Sequence, residues 1–248
     1  TIVALETSGD LLKSIVSIFY NQISANGSDA LDQLTDVIGP INAAFSSDIS
    51  LDPAIFARVK SLYDQRDTLS LTPEQRTMLD ETYKSFVRNG ALLGDNAQSR
   101  LRVIDEKLSV LAPQFQKNLK KSTESYEMVI RDHAELAGLP DNAIATAADT
   151  AKEKGYDNAW VFTLHQPSFL AYITYATNRA RREELWRAFN SRAYNDAYDN
   201  RATICELVAL KTERAKLLGY DTHADFTLAE RMAGSSERVF DFIHDLLA

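Results

Sequence analysis

A single cysteine, Cys205, stands in 248 residues, so the chain can form no internal disulfide, which fits a reducing compartment. Basic residues are in the minority: 27 Lys and Arg face 35 Asp and Glu, for a formal net charge of −8. That balance excludes the basic surface a nucleic-acid partner would want. No apolar run approaches the roughly 18 residues needed to span a bilayer. Nine glycines and six prolines are too few for a low-complexity chain, and we find neither a biased segment nor a fixed-period repeat. Histidine is scarce as well. His133, His165, His223 and His244 include no two at three-, four- or five-residue spacing, so none forms a helical metal pair. A composition of 45% hydrophobic and 25% charged residues remains, ordinary for a globular protein long enough to bury a core as one large domain or two small ones.

The most regular stretch runs from Gly94 to Ser122. Leu101, Ile104, Leu108, Leu111, Phe115 and Leu119 recur at steps of three and four, which keeps one helical face apolar. Asp95 and Gln98 have capping-box spacing. Arg102, Asp105, Glu106 and Lys117 fall off the seam, toward water. Pro113 interrupts the helix interior, and because the seam continues in phase through Phe115, a kink is expected rather than two helices. This helix is expected to be the central post of the domain.

Around it the pattern is helical. Ile2–Ala25 and Asp29–Phe45 are expected helices, separated by Asn26-Gly27-Ser28. Asp52-Pro53 and Thr72-Pro73-Glu74-Gln75 are cap-then-proline starts, the second with a box glutamine. Residues 1–122 therefore read as antiparallel helices on short loops. The period then changes. YEMVI at 126–130 and WVFTL at 160–164 are strand candidates. Helices are expected at Asp141–Lys154, from Pro167, at Arg179–Ala193 and at Asn200–Leu218. Asp221 should cap 222–232, and Ser235 the last helix. The fold class is mainly α: a multi-helix array with a small β element near 126–131 and 159–164.

Chemistry-bearing patterns are sparse. His244 is followed by Asp245, whereas a zinc-protease helix needs glutamate there and a histidine where Ala248 stands. No serine lies in a nucleophile elbow and no glycine-rich phosphate loop occurs. Cys205, beside Ile204 and Val208, reads as a buried structural thiol. Asp105-Glu106 and Glu183-Glu184 have basic neighbours at helical spacing and read as ion pairs. Arg179, Arg181, Arg182, Arg187 and Arg192 could hold an anion, but the interleaved acids favour structural pairing, with Arg179 and Arg182 expected to meet carboxylates on neighbouring helices. Trp160, Phe162 and Trp186 read as core. No catalytic, metal or cofactor-binding residue is assigned.

The order of segments carries more. It comprises TIVALETSGDLL at 1–12, FARVKSLYDQRDTLSLTPEQ at 56–75, RLRVIDEKLSVLAPQFQKNL at 100–119 and AELAGLP at 134–140. WVFTLHQPSF at 160–169, NRARREELWRAFNSRA at 178–193 and ICELVALKTERAKLLGYDTHADFTLAERMA at 204–233 follow. This order resembles the N-terminal half of the thimet-oligopeptidase family of zinc metallopeptidases, most closely the bacterial peptidyl-dipeptidases. The resemblance implies a helical fold in two halves around a channel, with one zinc held by an HExxH helix and a later glutamate. The HExxH glutamate would act as general base on metal-bound water. Short peptides would be the substrates, with no nucleic acid and no membrane as partner. None of those metal or catalytic residues has a counterpart here, so residues 1–248 are expected to form the channel half, inactive alone, and to partner a C-terminal catalytic half. Sub-regions are expected at 1–122 (helical bundle) and 123–248 (mixed, then helical). Arg179, Arg182, Trp186 and Leu217 to Tyr220 transfer as scaffold. A start at Thr1 and a stop at Ala248 in apolar helical pattern suggest that both ends are cut from a longer protein. The location implied is cytoplasmic, with the periplasm left open. Alternatives are an oligopeptidase cleaving internal bonds, or a non-enzymatic helical interaction module.

Overall fold

The structure is a computed structural model that describes residues 2–247. Its elements in chain order are α1 Ile2–Thr7, α2 Asp10–Asn26, α3 Asp29–Ser50, α4 Pro53–Asp64, α5 Pro73–Arg88, α6 Asp95–Glu124, β1 Met128–Ile130, a 3-10 turn His133–Leu136, α7 Asp141–Glu153, β2 Trp160–Phe162, α8 Gln166–Tyr175, α9 Arg179–Asn190, α10 Arg201–Leu217, α11 His223–Leu228 and α12 Ser236–Leu247. The mainly α reading holds, and the two strands lie where the period changes. They pair antiparallel, Met128 opposite Phe162 and Ile130 opposite Trp160.

Capping chemistry accounts for most helix starts. Asp52 Oδ1 accepts the Ala54 and Ile55 N–H groups at 2.8 Å, ahead of Pro53. Thr72 and Gln75 make the reciprocal box, at 3.3 and 3.1 Å. Three expectations need correction. The first helix is broken in two, because the Thr7 and Ser8 hydroxyls turn back onto the Val3 and Leu5 carbonyls and Gly9 follows. Asp95 does not cap α6: the Gly94 carbonyl accepts from Ala97 and Gln98, while the Gln98 side chain donates to Gly90 and Leu93 carbonyls. Thr222, not Asp221, caps α11, accepting from the Asp225 N–H at 3.1 Å.

α6 is one 30-residue helix, about 45 Å long, unbroken at Pro113. Proline there leaves the Ser109 carbonyl without its helical donor. Gly39 of α3 approaches that same carbonyl: a side-chain carbon on Gly39 would lie 3.2 Å from it. Of the expected seam, Leu101 and Ile104 are fully buried, and Leu108, Leu111, Phe115 and Leu119 are half-buried.

The chain divides into two compact units: one from the chain start through Pro113 together with Cys205 onward, the other Gln114–Ile204. Both divisions fall inside helices, α6 and α10. In the first unit, Phe56, Val59 and Phe86 form a small buried cluster under Leu5, Tyr83 and Val87. Gly90 ends α5 at φ +96, a region that favours glycine, and a side-chain carbon there would meet Leu101 at 2.7 Å. In Gln114–Ile204, Met128, Ile130, Leu136, Phe162, Leu164, Tyr172 and Leu185 form a continuous core between the sheet and α7 to α9.

Candidate functional site

The search begins with metal ligands. His133 packs edge-on against Trp160, with ring centroids 5.5 Å apart. His165 is exposed ahead of α8, His223 stacks near Phe226, and His244 is exposed on α12. Burial, then Lys211 and Arg214, pushes the His223 pKa down. Among the described residues, no three His, Cys, Asp or Glu side chains converge to hold a metal ion.

The arginine run resolves into separate structural roles. Arg181 of α9 donates to Glu135 at 2.5 Å and to Glu184 at 2.8 Å. Those bonds to Glu135, then Glu184, raise the Arg181 pKa further. Arg182 does not meet a carboxylate as expected; it donates to the Ala176 carbonyl, which closes the end of α8. Arg179 is exposed, Arg187 pairs with Glu183, and Arg192 lies 3.6 Å above the Phe189 ring. The cations point into different contacts, so they do not converge on one anion site.

Two further expectations fail. Cys205 is exposed, with Ile204 and Val208, and the residues that α10 buries are Leu210 and Ala215. Trp186 is exposed rather than core, whereas Phe162 is buried and Trp160 half-buried.

Polar networks that local patterns did not reveal hold each unit. In the first, Arg88 donates to the Tyr220 hydroxyl at 3.0 Å and the Phe226 carbonyl at 2.7 Å. Lys84 pairs with Glu230 at 2.5 Å, and Arg214 with Asp105 at 2.7 Å. Lys84, Arg88, Tyr220 and Glu230 border a 640 Å³ cavity that also includes Tyr63, Arg66, Asp80 and Tyr83. Its Asp80 Oδ1 is buried without a hydrogen bond, and Arg66 Nε stands 3.9 Å away. A second cavity of 440 Å³, lined by Leu5, Leu12, Val16, Phe45, Ile49 and Phe86, is mostly apolar.

In the other unit, Asn200 is fully buried; it donates to the Phe115 carbonyl at 3.0 Å and accepts from Asn118 at 2.9 Å. Ser122 Oγ bonds Asp196 at 2.5 Å and receives the Ala193 N–H at 2.8 Å. Partners lie far apart in sequence, 132 residues for Arg88 and Tyr220, so no spacing rule could have paired them. Chemically, these networks fix helices; they contain no nucleophile–base pair.

Comparison with known proteins agrees with the segment order. Residues 172–248 match peptidase family M3. The whole chain is 34% identical to a dipeptidyl carboxypeptidase of Escherichia coli, covering 36% of that protein. Identity is 30% to an oligopeptidase A of Haemophilus influenzae, over 99% of this chain and 37% of that one. It is 33% to a chloroplastic/mitochondrial organellar oligopeptidase A of Arabidopsis thaliana, over 79% of this chain and 26% of that one. The chain thus spans about a third of the length of these relatives or less.

Proposed function

We propose that this chain, related along its whole length to dipeptidyl carboxypeptidases and through residues 172–248 to peptidase family M3, is a helical scaffold portion of a longer zinc peptidase that removes C-terminal dipeptides from short peptides. The observation that carries the reading is the 34% identity over all 248 residues. The chain's own residues do not fit a zinc ion, since its histidines sit on separate elements and no three ligand-type side chains converge among the described residues. Metal and general base would come from polypeptide outside this chain. The contribution of residues 1–248 is scaffold: ion-paired helices in one unit and a closed apolar core in the other. We place the protein in the cytoplasm, where an exposed thiol such as Cys205 stays reduced; cell fractionation that finds it in the periplasm would overturn that placement.

The oligopeptidase A relatives favour a second reading, cleavage of internal bonds. Both are tested on the full-length protein with an N-blocked tetrapeptide and its C-terminal amide. Dipeptide release from the free acid alone, abolished by chelation and restored by zinc, is the expected result. Equal cleavage of the amide supports the oligopeptidase. Hydrolysis of neither peptide overturns the peptidase reading and leaves a helical interaction module. The 248-residue chain by itself is expected to hydrolyse neither.

A further inference from the structure

Asparagine followed by glycine occurs twice in the chain, at Asn26-Gly27 and Asn89-Gly90. The dipeptide is chemically labile, because glycine has no side chain to shield its backbone nitrogen from the preceding side-chain amide. The fold treats the two sites differently. Asn89 is the C-terminal cap of α5, and its N–H donates to the Ser85 and Phe86 carbonyls at 3.0 and 3.2 Å. Its Nδ2 donates to the Ser85 carbonyl at 2.9 Å. The Gly90 N–H donates to the Val87 carbonyl at 3.0 Å, and Gly90 is buried against Leu101. Both groups that would have to react are therefore held, the amide by Ser85 and the nitrogen by Val87.

Asn26 is the last residue of α2, and Gly27 and Ser28 are the whole connection to α3. Asn26 and Gly27 are both exposed. Among the described residues, no hydrogen bond holds the Asn26 side chain or the Gly27 N–H. α2 buries none of its residues, so its last turn opens at little cost. Opening frees the Asn26 backbone to turn its side-chain carbon toward the Gly27 nitrogen.

We propose that Asn26 is a site of spontaneous deamidation, with water as the co-reactant, and that the fold protects Asn89 from the same reaction. The Gly27 nitrogen gives its proton to solvent base and attacks Asn26 Cγ. An N–Cγ bond forms, the Cγ–Nδ2 bond breaks, and the leaving nitrogen takes a proton from solvent to depart as ammonia. Water then opens the cyclic imide at either carbonyl, which leaves an aspartyl or an isoaspartyl residue at position 26. One water is consumed and one ammonia released, with no oxidant or reductant. Either product adds a negative charge to the connection between α2 and α3, and the isoaspartyl form adds a backbone atom to it. The modification therefore acts on the joint between the two helices.

The experiment incubates the purified protein in mildly alkaline buffer. Mass spectrometry follows the one-unit mass gain of deamidation in the peptides that contain Asn26 and Asn89. Each rate is divided by that of a synthetic peptide of the same local sequence. On that scale Asn26 is expected to react at least tenfold faster than Asn89 in the folded protein. A smaller difference overturns the proposal, whether both sites react or neither does. In urea the difference should vanish; one that persists belongs to local sequence rather than to the fold, and also overturns it. Gly27 has φ −63 and ψ 148, which an alanine adopts without strain, so Gly27→Ala should not lower the melting temperature. The same variant should slow deamidation of Asn26 at least tenfold by shielding the nitrogen, and an unchanged rate would exclude attack from Gly27. Peptide hydrolysis plays no part in these readouts, so their outcome is independent of the peptidase reading.

Discussion

In Gln114–Ile204 the sheet, α7, α8 and α9 enclose Met128, Ile130, Phe162, Tyr172 and Leu185, and few large apolar side chains remain in water. The unit formed by the two ends of the chain is larger, yet its cluster of Phe56, Val59 and Phe86 is small. Leu11, Ile15 and Ile18 of α2, Leu34, Val37, Ile41 and Phe45 of α3, and the α12 face all stay exposed. Each Å² of apolar surface left in water forgoes roughly 25 cal/mol. The first unit compensates with charge: Arg88, Lys84, Glu230, Arg100, Glu213, Arg214 and Asp105 tie its helices through side chains. The difference teaches that one region stabilises itself by burial, whereas the other presents faces whose burial requires a partner.

Mutation breaks or sharpens this contrast. The largest effect is expected at the centre of the closed core. Leu185 is fully buried, and Leu185→Ala should cost about 3 kcal/mol by urea unfolding. Leu246→Ala on the open face should stay within about 0.5 kcal/mol in the same 248-residue chain. Comparable losses at both sites would erase the distinction.

The next effect concerns backbone. Gly138 has φ +89, and a side-chain carbon there would lie 2.3 Å from the Tyr175 carbonyl oxygen. Gly138→Ala is expected to cost about 2 kcal/mol, read as a fall in melting temperature. An unchanged melting temperature would mean that the turn into α7 is not held against α8.

The smallest effect is on pH dependence. Arg201 beside Asp199 holds its carboxyl down at about 2, below the ordinary 3.8. A depressed carboxyl contributes stability that is complete above its ordinary value and lost as pH falls through about 2. The pair is at the surface, so only a slight loss is expected between pH 4 and pH 2, and Asp199→Asn should remove that slope. A slope unaffected by the substitution would assign acid sensitivity elsewhere.

How much of this was legible beforehand follows from the range of each interaction. Caps at Asp52, Thr72 and Ser235 act over two or three residues, so the helix starts were readable. The paired strands were readable from YEMVI and WVFTL. Periodicity identified apolar stripes but not which of them would be covered: Cys205 and Trp186 were assigned inward and lie outward. The Arg182 contact was misjudged because charge alone favours a carboxylate, whereas the end of α8 offered a nearby carbonyl. For the candidate site, the spacing of the four histidines offered no helical pair to follow. The long-range networks of Arg88 and Asn200 had no local signature.

Residue-resolved native-state hydrogen exchange of the 248-residue chain tests the central claim most directly, because exchange reports the free energy of opening at each amide. The account predicts that amides of β1, β2, α8 and α9 exchange only through global unfolding, while those of α2 and α12 exchange at least a hundredfold faster. Uniform protection across α2, α12 and the Gln114–Ile204 core at monomeric concentration would contradict it.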